Sequence, residues 1–364
     1  MKVKTLSGEN FRNLLPFSLS FCDGMNVIYG DNAQGKTNLI EALWLFTGAK
    51  SFRTSKDSEM VAFGYNSSSL CLDFISGGIE REAKINITNR RIAELDTKKL
   101  KTASALAGNF CATVFSPVDL SIVKDGPSLR RRFIDLAIGQ LYPSYVAVLK
   151  QYTRAVTQRN TLLKSMDGKL QNTEMLDVFE NEIGSLGEKI IDYRVKYCKH
   201  VTKNASSIYG ELSSLREELS VEYIPSCPVD ELAERLYKVR GKDVFSGITS
   251  VGPHRDDLDF KINGISARNF GSQGQQRSVA LSLKLAEAKT LKDITGEQPV
   301  AILDDVMSEL DPDRQAFILN HIKDWQVFIT CCDPTNVKPL KEGKVFTVVG
   351  GKIKEQHKRC EHKE

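Results

Sequence analysis

The chain has 364 residues, with 50 Lys and Arg against 46 Asp and Glu for a formal charge of +4, and 41% of its residues are hydrophobic. That is enough to bury cores in about two domains, while 26% charged residues and no apolar run near the roughly 18 needed to cross a bilayer exclude a disordered chain and a membrane-spanning one. Met1-Lys2-Val3-Lys4 opens directly into an alternating segment with no apolar leader, so a cytoplasmic location without membrane association is expected.

Phe17, Leu19 and Phe21 alternate with polar residues, and Met25–Tyr29 is a short apolar run ending at Gly30; both read as strands. Leu39, Ile40, Leu43, Trp44 and Phe46 then recur at helical spacing. Leu70, Leu72 and Phe74 before Gly77-Gly78, and Arg81, Ala83, Ile85 and Ile87 after it, predict a β-hairpin. Cys111–Phe115 is a further strand. From about Ser128 to Leu219 the period becomes helical, with Phe179, Ile183, Leu186, Ile190, Tyr193 and Tyr197 in a heptad-like stripe. Pro143 opens a new helix, and Asp167-Gly168 marks the turn between two long ones. Strand and helix alternation resumes with Leu258, Phe260 and Ile262 before Asn263-Gly264, a helix after Ser272, and strands at Val300–Leu303 and Trp325–Ile329. The expected organisation is an α/β head in two pieces, 1–122 and 244–364, interrupted by a mainly helical arm at 123–243.

Gly30-Asp31-Asn32-Ala33-Gln34-Gly35-Lys36-Thr37 matches G-x-x-x-x-G-K-[ST] between a strand and a helix. Such a loop turns backbone N–H groups toward phosphate oxygens at the positive end of a helix. Lys36 is placed to reach the β- and γ-phosphates of ATP, and the Thr37 hydroxyl to bind Mg²⁺; Asn38 follows directly in the first turn. Val300–Leu303 runs into Asp304 and Asp305. Asp304 is the second metal-shell candidate opposite Thr37, and Asp305 is a candidate to orient or deprotonate the attacking water; the pair is also compatible with a strand-end turn that caps the next helix. Ser272, Gly274 and Gln275 open another helix, a second phosphate-binding end or simply an N-cap. A symmetric dimer would let one copy supply that end to the other's nucleotide.

Taken together, the Gly30–Thr37 loop, Ser272-Gln273-Gly274-Gln275, Leu303-Asp304-Asp305 and Ser308-Glu309-Leu310-Asp311 resemble the motifs of an ABC-type (P-loop NTPase) ATPase head of the SMC kind. Glu9–Asn13, Phe115–Leu120, Gly126-Pro127 with Arg130-Arg131-Arg132, Gly252–Leu258 and Gly271–Arg277 narrow the resemblance to the RecF family of bacterial recombinational repair proteins. The resemblance implies an ATP-dependent homodimer that binds DNA at junctions of single and double strands and works with RecR and RecO to load RecA. It further implies that Arg12 contacts nucleotide phosphate, that Ser272 and Gly274 clamp the γ-phosphate in trans, and that Asp311 lies in a dimer-crossing loop. Two departures matter. Asp305 stands where such heads usually carry Glu, one methylene longer, so slow hydrolysis is expected. No histidine lies near Thr330-Cys331-Cys332-Asp333 to sense the γ-phosphate, leaving Thr330 as the substitute. For DNA phosphates the basic candidates are Arg130, Arg131 and Arg132 at the arm's root, Arg154, Arg159 and Lys164 along it, and Arg53 and Lys56.

Overall fold

The computed structural model describes residues 1–54, 56–169, 173–332 and 343–356. Strands β1 (Lys2–Glu9), β2 (Phe17–Ser20) and β3 (Met25–Tyr29) precede helix α1 (Lys36–Trp44). After it come β4 (Ser68–Ser76), β5 (Ile79–Ile87), β6 (Arg91–Leu95), β7 (Lys98–Lys99) and β8 (Ala112–Phe115). Helices α2 (Pro127–Leu141), α3 (Pro143–Ser165) and α4 (Thr173–Leu212) follow, then β9 (Leu219–Ile224), α5 (Leu232–Ser246), β10 (Asp257–Ile262), β11 (Ile265–Ser266) and the single turn α6 (Ala267–Phe270). Helix α7 (Gln273–Thr295), β12 (Val300–Asp304), α8 (Pro312–His321), β13 (Val327–Cys331), β14 (Gly343–Val349) and β15 (Lys352–Gln356) complete the order.

Two compact units result: Met1–Leu120 with the chain from Lys284 onward, and Ser121–Leu283. The first holds two six-stranded sheets. One, β2-β1-β4-β5-β6-β7, is antiparallel. Its β4 buries Ser68, Leu70, Leu72 and Phe74 on one face and leaves the residues between them half-exposed, as a sheet covered on one side requires. The predicted hairpin is there, with Gly77 and Gly78 both at positive φ (62° and 73°), the backbone that a two-residue turn between right-twisted strands demands.

The other sheet runs β15-β14-β3-β13-β12-β8, parallel except for β15. All five residues of β12 and of β13 are buried, which is why these strands read as continuous apolar runs: a parallel sheet is covered on both faces. Gln326 links the two sheets, its amide donating to the carbonyls of Val3 and Cys22, both at 2.8 Å, and accepting from Val3 N at 2.6 Å. Phe21 packs edge-on against Phe328 and Phe346 beside it.

In the second unit α3 and α4 form the expected antiparallel pair. Asp167 and Gly168 occupy the turn at positive φ. The stripe on α4 is buried at Ile183, Leu186, Ile190 and Tyr197, with Phe179 and Tyr193 half-buried, but charged Glu180 and Arg194 lie buried among them. β10 joins neither large sheet. It pairs with β9 (Phe260 opposite Val221) and β11 in a separate three-stranded sheet, so residues 244–283 fall in the helical unit. The apolar alternation at Leu258–Ile262 had placed them in the head, because alternation alone does not reveal a strand's partner. No helix among the described residues is long and apolar enough to cross a membrane.

Candidate functional site

The phosphate loop sits where β3 ends, at the carboxyl edge of the parallel sheet, and Asp304 ends β12 two strands away. Ligand crevices of open α/β sheets form at that edge. Gly30 has φ 157°, and a Cβ there would lie 2.3 Å from the Val348 carbonyl oxygen, so the loop's first position excludes any side chain. On its far side the loop is fastened to the turn between β14 and β15. Gly350 N donates to Gln34 Oε1 at 2.6 Å, and Gly351 N donates to the Gln34 carbonyl at 3.1 Å. Asn13 holds the near side, donating to the Ala33 carbonyl and accepting from Asn38 Nδ2 at 2.6 Å.

Lys36 opens α1, and its ammonium donates to the carbonyls of Gly30 (2.6 Å) and Asp31 (3.1 Å), folded back across the loop's hollow. Gly35 caps α1 without a side-chain acceptor for the first-turn N–H groups. Those donors and the buried ammonium make an anion receptor at the helix's positive end. Thr37 Oγ1 donates to Asp304 Oδ1 at 3.1 Å, and Thr330 Oγ1 donates to the same oxygen at 2.8 Å. Asp304 is nearly buried at 7% exposure. Burial pushes its carboxyl pKa upward from the ordinary value, the two hydroxyls oppose the shift, and neighbouring Asp305 adds to it. A hydroxyl and a carboxylate oxygen converging at a phosphate loop suit a small hard cation that takes its other ligands from phosphate and water. Thr37 and Asp304 therefore fit Mg²⁺.

Asp305 has φ 56°, a left-handed conformation that costs an L-residue about 1 kcal/mol. Its N–H donates to Thr330 Oγ1 at 2.9 Å, and its carbonyl accepts from Ser308 Oγ at 2.8 Å. The distortion turns the chain out of β12 at Asp305, one residue past the metal-shell candidate.

An expected result separates fold from function here. A carboxyl with a raised folded-state pKa contributes stability below its unfolded pKa and loses it as pH rises through the folded one. Above the folded-state pKa the charged form of Asp304 is thus a cost to the ligand-free protein. Asp304→Asn keeps an acceptor for both threonines, so it is expected to raise the ligand-free Tm at pH 7.5 by one to a few degrees while removing the Mg²⁺-dependent part of nucleotide stabilisation; thermal denaturation with and without Mg²⁺ and ATP checks both.

Several sequence-predicted residues have other work. Arg130 is 1% exposed, doubly bonded to Asp257 (2.6 and 3.0 Å) and donating to the carbonyls of Ile122 and Asp125. It holds the second unit together and is withdrawn from the DNA candidates, because an anchor with its donors consumed cannot meet a phosphate. Arg131 is half-buried and donates to the Asp256 carbonyl at 2.7 Å, whereas Arg132 is exposed. Arg159 is wholly buried in ion pairs with Asp243 and Glu180 and leaves the list as well. Thr330, at 1% exposure, gives its one hydroxyl hydrogen to Asp304 and accepts from Asp305 N, which fixes the carboxylate and leaves that hydroxyl no hydrogen for a γ-phosphate.

Arg12 forms a two-point pair with buried Glu41 of α1 (2.8 and 2.9 Å) and donates to the Glu59 carbonyl. Of its five N–H donors two remain for a phosphate. Asp311 accepts from Arg314 N at 3.1 Å and caps α8. Ser272 and Gln275 cap α7 reciprocally, Ser272 N donating to Gln275 Oε1 at 2.9 Å and Gln275 N to Ser272 Oγ at 3.2 Å, the geometry of a capping box. Ser272 is exposed and Gly274 half-buried. Glu41, Asn13 and the Gln34–Gly350 link were not anticipated. A lone Glu inside an apolar helical stripe is the one signal that marks Glu41.

Comparison with known proteins places the site in context. A family model described as the RecF/RecN/SMC N-terminal domain matches residues 2–354. The DNA replication and repair protein RecF of Clostridium perfringens is 39% identical over 97% of this chain and 99% of its own length; that of Acetivibrio thermocellus is 39% identical over 95% and 96%. A solved structure described as the recombination mediator protein RecF-ATP in the RecFOR pathway superposes with a TM-score of 0.88 at 35% identity, covering 98% of both chains. An SMC head bound to the C-terminal winged-helix domain of ScpA matches at TM-score 0.53 and 15% identity, a likeness of fold alone. The parallel sheet, its phosphate loop and the helical insertion are those of an ABC-type ATPase head, and with a match from residue 2 to residue 354 the chain belongs to the RecF family.

Proposed function

We propose that this chain is an ATP-dependent DNA-binding protein of gap and fork repair, acting as a homodimer that ATP closes and slow hydrolysis releases. The observation that carries the reading is the convergence of Lys36, Thr37 and Asp304 at one end of the parallel sheet. ATP lies with its phosphates along the loop Gly30, Asp31, Asn32, Ala33, Gln34 and Gly35 and at the first turn of α1 through Asn38. Mg²⁺, held by Thr37 and Asp304, supplies charge neutralisation to the phosphates. Asp305 orients or deprotonates the water; its short side chain keeps turnover slow.

Ser272, Gly274 and Gln275 of a second copy complete the site, and Asp311 lies beside that seam. The exposure of Ser272 at the head of a long, already capped helix supports this reading. Arg132, Arg154 and Lys164, which are exposed, and the half-buried Arg131 are the candidates to meet duplex phosphates. By analogy with the relatives described in the RecFOR pathway, the partners are RecR directly and RecO and RecA indirectly.

Mass in solution tests the assembly step. With ATP and Mg²⁺ the mass is expected to double, and Ser272→Arg to abolish the shift; an unchanged parental mass overturns ATP gating. Asp305→Asn is expected to bind ATP, trap the dimer and slow phosphate release about 100-fold. Hydrolysis at the parental rate would remove Asp305 from catalysis.

A further inference from the structure

Phe63 is fully solvent-exposed and Tyr65 is 60% exposed. Both sit on one tight turn, in which Tyr65 N donates to the Ala62 carbonyl at 3.1 Å and Gly64 takes φ 87°. A turn with positive φ at its third residue puts the second residue, here Phe63, at the tip. The turn is not loose. Ala62 N donates to the Asn10 carbonyl at 2.8 Å, and Val61 bridges to Phe11. Water-facing aromatics on a hydrogen-bonded turn add nothing to the core, and the turn presents both rings to solvent.

The surroundings are cationic. Residues 50–66 with the turn at 88–91 carry five basic side chains against two acidic ones. Those segments are joined by Arg91, which pairs with Asp57 at 3.0 Å and donates to the Ala49 carbonyl at 2.7 Å. Lys56 and Arg90 are exposed, whereas the guanidinium of exposed Arg53 donates to Asn38 Oδ1 and lies 3.8 Å from the buried Glu41 carboxylate, on the side of the phosphate loop. Exposed aromatic faces on a cation-rich segment are the chemistry of single-strand binding: unpaired bases stack on the rings, and the cations follow the backbone. A base pair inside a duplex is stacked on both sides and has no free face to offer.

From this we infer that Phe63 and Tyr65 form a stacking platform for unpaired nucleobases, with Lys56 and Arg90 meeting the phosphates. The inference rests on the DNA-binding part of the proposed function and assigns its single-stranded ligand to one surface. The segment that leads into the platform's turn reaches the nucleotide end of the unit. Arg12 N donates to the Met60 carbonyl at 2.9 Å and its guanidinium to the Glu59 carbonyl at 2.8 Å, while the same guanidinium grips Glu41 on the helix that carries Lys36 and Thr37.

The test uses the full chain with ATP and Mg²⁺, a single-stranded oligothymidylate and a blunt duplex. The double variant Phe63→Ala/Tyr65→Ala removes only exposed side chains and is expected to bind the oligothymidylate about 10-fold or more weakly. Blunt-duplex affinity and the ATP-dependent mass shift stay at parental values, and Phe63→Trp retains single-strand affinity. Quenching of 2-aminopurine in a single strand, lost in the double variant, reports the stacking itself. Unchanged oligothymidylate affinity overturns the platform while leaving the DNA reading intact. Loss of the mass shift in the double variant overturns it in favour of an interface between copies. A parent chain that binds neither DNA removes the DNA reading and the platform together.

Discussion

Lys36→Ala is expected to abolish ATP binding while leaving the ligand-free protein folded. Lys36 is 6% exposed, and the oxygen contacts of its ammonium are the carbonyls of Gly30 and Asp31, neutral groups that water can satisfy once the side chain is gone. The loop keeps its other fastenings at Gln34 and Asn13. The ligand-free Tm therefore moves little, as for substitutions that orphan no buried charge. Binding is different, because hydrogen bonds between an ammonium and phosphate oxygens contribute about 1.5–3 kcal/mol each. Losing two lowers affinity by at least about 100-fold. Titration calorimetry reads this directly. Thermal denaturation gives a second check, since ligand at about 100 times its Kd stabilises by about 2.7 kcal/mol, and that gain is expected to vanish. A variant that bound ATP normally would overturn the phosphate-loop assignment and everything built on it.

The second large effect is structural. Arg159→Ala is expected to destabilise the helical unit by about 3–5 kcal/mol, the cost of leaving a buried charge without its partner. Arg159 on α3 pairs with Asp243 of α5 at 2.7 Å and Glu180 of α4 at 2.9 Å, and donates to Thr249 at 3.0 Å, so one guanidinium joins three helices. The two carboxylates fare differently when it is removed. Glu180 keeps Arg240, but the Asp243 carboxylate, with no exposed surface, keeps among the described residues the Ser250 N–H at 3.2 Å alone. Adding Asp243→Asn is expected to recover a large part of the loss, because the orphaned charge is then absent. The readout is the shift of the denaturation midpoint: at about 2–4 °C per kcal/mol the single variant loses roughly 6–20 °C. Equal losses in the single and double variants would show that packing of the arginine stem, not the buried charge, sets the cost.

These two residues illustrate what was legible before the structure and what was not. The phosphate loop could be read because its mechanism is local. The glycines, the lysine and the threonine act within eight consecutive residues, and the apolar run before them and the 3.6-residue period after them place the strand and the helix. Asp304 was legible for the same reason, as the polar end of a buried strand. The β4–β5 hairpin and the Asp167-Gly168 turn were likewise written in glycine and alternation. For Arg159 and Arg130, by contrast, local pattern pointed the wrong way. An arginine on a helix is ordinarily a solvated cation, and only the arrival of Asp243 and Glu180, or of Asp257, from distant parts of the chain turns it into a buried strut.

The sequence by itself determined the chemistry of the phosphate site and the elements with a clear local pattern, such as β3, α1, the β4–β5 hairpin, β12 and β13, since these follow from periodicity and from side chains that act on their near neighbours; β9, α5, β14 and β15 emerged only with the structure. Tertiary structure alone decided that Glu41 holds Arg12, that Thr330 backs Asp304, and that β10 pairs with β9 instead of entering the head's sheets. Those outcomes depend on which groups meet across tens to hundreds of residues, where a buried donor or charge must find its partner and no local rule names which one it will be.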